Sequence, residues 1–123
     1  MEEPPLRTVV WIGPTRKELK TFPRPVQRAV GLALYAAQLG EMPPDAKPLK
    51  GFSGAGVVEL VEDHRGDTYR AVYTVRYATR IYVLHVFQKK SKHGIATPQK
   101  EIELIRARLR WAERLHAGKT EEG

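Results

Sequence analysis

The 123-residue sequence predicts an α+β domain: a mostly antiparallel sheet of about four strands packed against two N-terminal helices and a C-terminal helix. Three observations lead there. Three runs rich in Val, Ile, Thr and Tyr follow one another after a helical segment, instead of alternating with helices. Two of them, Tyr69 to Tyr77 and Arg80 to Gln88, are separated only by Ala78-Thr79 and read as a hairpin. The last part of the chain then carries Ile102, Ile105, Leu109 and Ala112 at helical spacing.

Taken in order, residues 1–5 read as a disordered leader, 6–117 as one domain and 118–123 as a frayed tail. Arg7 to Ile12 is β-branched and aromatic, a first strand ended by Gly13-Pro14. Thr15 and Glu18 have the capping-box spacing, so a short charged helix is expected to start there with the Thr15 hydroxyl as its cap. Phe22-Pro23-Arg24-Pro25 opens a longer helix, because proline costs nothing in a first turn. Its buried stripe is Val26, Ala29, Val30, Ala33 and Ala37, widened by Leu32, Leu34 and Ala36, and Gly40 ends it. Residues 45–56 read as a Pro/Gly-rich loop whose glycines match no phosphate-binding fingerprint. Val57 to Glu62 is the next strand, turning through Asp63 to Asp67 into the central hairpin. Thr97 is the expected N-cap of the last helix, whose stripe Leu104, Trp111 and Leu115 widen.

The hairpin leads into Lys89, Lys90, Lys92 and His93. If Tyr77 pairs with Arg80, Arg70 falls opposite Phe87 on the face of Lys89, so cations gather at one end of the sheet. Like charges held together gain nothing in stability, and an anionic ligand would relieve them. The alternative is a solvated edge whose lysines discourage aggregation. The same register puts Tyr69, Tyr73, Tyr77 and Tyr82 on the opposite face, in a helix-packed core rather than on a base-stacking platform. Arg76 shares the Arg70 face but lies about 20 Å away along the strand. Arg106, Arg110 and Arg114 line one face of the last helix, either tracking phosphates or simply solvated.

A net charge of +7 favours a polyanionic or acidic partner. There is no Cys, and His64, His85, His93 and His116 lack metal-ligand spacing, so no metal and no cofactor are expected. No apolar run approaches the roughly 20 residues of a membrane span, and a cytoplasmic protein is expected.

Several stretches together resemble a known family. Tyr69-Arg70-Ala71-Val72-Tyr73 is similar to a strand of the RelE/ParE toxin superfamily. Lys47-Pro48-Leu49-Lys50-Gly51, Val58-Glu59-Leu60, Val83 to Lys90, and Thr97-Pro98 with Glu101-Ile102 resemble its phage-derived HigB-like branch. The resemblance spans about residues 6 to 116. It implies the toxin of a type II toxin-antitoxin pair, a metal-independent endoribonuclease acting on mRNA at the ribosome through 2′-hydroxyl attack. The implied partners are that mRNA and a HigA-like antitoxin with a helix-turn-helix domain.

By the same resemblance Arg70 stabilises phosphate and Lys89 and Lys90 supply further cations, while Lys47, Lys50, Arg65 and Lys92 hold the RNA backbone. Glu59, where RelE-like toxins carry lysines, is either the general base or the partner that orients Arg70. His93 stands in for the late catalytic tyrosine of RelE-like toxins, an imidazole being able to take and give a proton, or is a solvent-facing loop residue. His85 is expected to be a hydrogen-bonded core residue. Two other functions stay open: a ParE-like inhibitor of DNA gyrase, and a non-catalytic nucleic-acid-binding module.

Overall fold

A computed structural model describes residues 5–90 and 97–122. The elements are β1 (Thr8–Trp11), α1 (Thr15–Leu19), α2 (Arg24–Gln38), β2 (Ala46–Pro48), β3 (Val57–His64), β4 (Asp67–Thr74), β5 (Arg80–Lys90) and α3 (Gln99–Glu122). The class is α+β, with a five-stranded sheet ordered β1-β5-β4-β3-β2. The sheet is mixed, because β1 runs parallel to β5, with Thr8 beside Arg80 and Trp11 beside Val83. The other pairings are antiparallel. The fifth strand is β2, three residues ending in Pro48 inside the loop expected between α2 and β3, where Lys47 pairs with Glu59.

The sheet separates two cores. On one face Val26, Val30, Ala33, Leu34 and Ala37 of α2 pack on Leu60, Tyr69, Ala71 and Tyr73. On the other, Ile105, Leu109 and Ala112 of α3 pack on Val57, Val72, Leu84 and Phe87. Leu32, expected to widen the buried stripe of α2, is 66% exposed, and Trp111 and Leu115 are exposed on the flank of α3.

The ends of α2 follow the expected chemistry. Pro23 precedes the helix and Pro25 sits in its first turn. Gly40 takes φ +83, donating to Ala37 at 3.0 Å while Glu41 donates to Ala36 at 2.8 Å, a Schellman end. The capping box of α1 does not form. Pro14 precedes the helix, its carbonyl takes the Glu18 N–H at 2.9 Å, and the Thr15 hydroxyl is buried with no hydrogen-bond partner among the described residues. The turn at Gly13-Pro14 starts the helix early enough that Thr15 lies inside it.

The register of the hairpin holds at Arg70, which stands opposite Phe87, but not at the turn. Val72 pairs with His85 and Tyr73 with Val83, leaving Leu84 as a bulge residue. Beyond it the alternation of β5 is inverted. Tyr82, expected in the core with Tyr69 and Tyr73, therefore packs on the α3 side, joined there by Tyr77.

Candidate functional site

Side chains on a strand alternate, so β3, β4 and β5 present Glu59, Arg70, Val72 and Phe87 to the α3 face. Glu59 pairs with Val72, which makes Arg70 its diagonal neighbour across the ladder. The chain crosses over both where α3 begins. Arg70 Nη1 donates to Glu59 Oε2 at 3.1 Å and to the Thr97 hydroxyl at 3.1 Å, and that hydroxyl donates to Glu59 Oε2 at 2.6 Å. Glu59 and Arg70 are each 5% exposed.

Thr97 is therefore not the N-cap of α3. Its hydroxyl is committed to the Glu59–Arg70 pair, and the Pro98 carbonyl instead takes the N–H groups of Glu101 and Ile102, each at 3.0 Å. A buried ion pair persists only when its remaining donors and acceptors find partners, and Thr97 supplies both kinds. The triad ties β3, β4 and the start of α3 into one unit.

Two clefts flank Thr97-Pro98. One, of about 270 Å³, is lined by Lys50, Gly51, Thr97, Gln99 and Arg106. Arg106 lies 4.6 Å over the Phe52 ring, which positions its guanidinium at the rim. The other, of about 300 Å³, is lined by Phe87, Gln88, Lys89, Pro98, Lys100 and Glu101. Of the residues the sequence singles out, Glu59, Arg70, Lys50 and Lys89 thus meet around the entry to α3. Lys47 is exposed on β2, beside Glu59 in the ladder. Lys90 pairs through its backbone with Asp67. Arg65 occupies the exposed turn between β3 and β4 with φ 51, farther along the same end of the sheet. Lys92 and His93 lie outside the described residues. Arg76 is away from the site, paired with Glu113 at 3.3 Å.

His85, two residues before Phe87, heads a second polar group. Arg108 Nη1 lies 3.2 Å from its Nδ1 and Glu101 Oε2 lies 3.3 Å from its Nε2. Burial pulls its pKa below 6.5, partly opposed by the carboxylate of Glu101. Lys100, Glu101, Arg106 and Arg108 join the site through α3. The spacing of α3 shows which of its residues face the core, but not that its first turn meets the end of β5. Among the described residues, no three of His, Asp and Glu come together as metal ligands.

The family described as "Phage derived protein Gp49-like (DUF891)" matches residues 17–110. No curated protein and no solved structure matches the chain.

Proposed function

The chain belongs to the Gp49-like phage-derived family, a toxin-like family related to RelE, and from that premise we propose that it is the toxin of a type II toxin-antitoxin pair. Its proposed activity is endonucleolytic cleavage of mRNA at the ribosome without a metal. The 2′-hydroxyl attacks the adjacent phosphorus and the 5′-oxygen leaves, giving a 2′,3′-cyclic phosphate and a 5′-hydroxyl. The observation that carries this reading is the pair of clefts at one end of the sheet, cationic through Lys50 and Arg106 on one side and Lys89 and Lys100 on the other. Cations in that position can stabilise the charge that builds on a phosphate during attack.

In this scheme the buried Arg70 takes a different part from that of a phosphate ligand. It acts through Glu59 and Thr97, holding the entry of α3 against the sheet, while the lysines of the two clefts meet the RNA. The proposed partner in the cell is a helix-turn-helix antitoxin that holds the toxin inactive. One observation favours a second reading, a non-catalytic nucleic-acid-binding module: Glu59 and Arg70 are spent on each other.

Induced expression of the wild-type chain in a bacterial host, with protein and DNA synthesis followed separately, tests the proposal. Protein synthesis should stop first. Arrest of DNA synthesis first would point to gyrase instead, and unimpaired growth would contradict toxicity altogether.

A further inference from the structure

Among the described residues that line the cleft between the end of β5 and the first turn of α3, Glu101 brings the one carboxylate, beside the lysines Lys89 and Lys100 and the ring of Phe87. Its side chain is 19% exposed, so it reaches the cleft surface, whereas Glu59 is enclosed under Arg70 and Thr97. What lies behind Glu101 fixes its orientation. A guanidinium can only donate, so Arg108 Nη1, 3.2 Å away, makes His85 Nδ1 an acceptor and places the ring proton on Nε2. That N–H points at Glu101 Oε2, 3.3 Å away. Phe87 stacks on the imidazole at 4.6 Å, and Arg108 is tied down by a second bond to the Leu84 carbonyl at 3.1 Å.

The charged groups that face His85 are Glu101 and Arg108 from α3 and Glu18 from α1, and its burial favours the neutral ring. A neutral donor orients a carboxylate without cancelling its charge. The bulge at Leu84 brings Leu84 as well as His85 to the α3 side, so the arrangement is a product of the same irregularity that re-aims β5.

Resting on the ribonuclease reading, we infer that Glu101 is the catalytic base of the cleavage. The Glu101 carboxylate takes the proton of the 2′-hydroxyl as that oxygen forms its bond to phosphorus. The bond from phosphorus to the 5′-oxygen breaks, and the leaving oxygen takes a proton from the ammonium of Lys89 or Lys100. Solvent then returns the lysine to its charged state and takes the proton from Glu101.

The test compares wild type, Glu101→Gln, Glu101→Asp and Glu103→Gln for mRNA cleavage on purified translating ribosomes, with RNA binding and circular dichroism measured on each. A glutamine carbonyl still accepts the His85 N–H but takes up no proton. Glu101→Gln should keep its fold and its RNA binding and lose about 100-fold or more in cleavage rate. Glu101→Asp should recover part of that loss, and Glu103→Gln, exposed on the same turn, should cut like wild type. If wild type cuts and Glu101→Gln cuts equally well, the assignment of the base is wrong while the ribonuclease reading stands. If wild type does not cut, that reading fails and the base with it.

Discussion

Glu59 and Arg70 both lose their water when the start of α3 closes over them, and each is held by the other and by Thr97. Removing one partner leaves an uncompensated charge in place. Arg70→Ala should therefore cost about 3 to 5 kcal/mol of stability, measured by urea unfolding, whereas Arg70→Leu combined with Glu59→Leu should recover most of it. Loss of toxicity in Arg70→Ala alone would not locate Arg70 in the chemistry, so the double variant is the informative one. Tyr73 is a different case. Its ring is fully buried, its hydroxyl has no hydrogen-bond partner among the described residues, and burial pushes its pKa from 10.0 up to about 12. A folded-state pKa above the unfolded value gives stability that is complete below pH 10 and is lost as pH rises toward 12. Tyr73→Phe should remove that group's share of the alkaline loss, about 2 to 3 kcal/mol, in unfolding measured across that range.

The hairpin shows how far patterning reaches. The expected place of Arg70 opposite Phe87 rests on Tyr77 pairing with Arg80 across a short turn; the register does not hold at that turn, yet it holds at Arg70, where both faces of the sheet are buried and a one-residue slip would exchange them. The bulge at Leu84 leaves no mark in the alternation of the sequence, so the side taken by Tyr82 was not legible. Nor was β2, three residues ending in a proline, or the parallel seat of β1, which depends on where the helices carry the chain. Within the site, the pairing of Glu59 with Arg70 could be read from neighbouring strands. The hydroxyl of Thr97, 38 residues from Glu59, could not, because local spacing makes it a helix cap. Gly56 marks a further constraint on β3. It holds φ +65, and a Cβ there would lie 2.5 Å from that of Arg76. Gly56→Ala should lower stability by about 2 kcal/mol or more in thermal unfolding, since strained backbone and a clash act together.

The whole chain carries +7, and the described cations of both clefts lie around the entry to α3. Binding to single-stranded RNA should weaken steeply with salt. Replacing Lys50 with Ala should flatten the slope of log affinity against log salt by about 0.7, the share of one phosphate contact, without changing preference among sequences. An unchanged slope would remove the Lys50 cleft from the RNA path.

Endonucleolytic cleavage without a metal would be written in the chemistry of the RNA ends left in cells after induced expression of the wild-type chain. Attack by the 2′-hydroxyl should leave cuts within translated regions bearing 5′-hydroxyl and 2′,3′-cyclic phosphate ends. Intact mRNA in arrested cells, or new ends carrying 5′-phosphate, would contradict it.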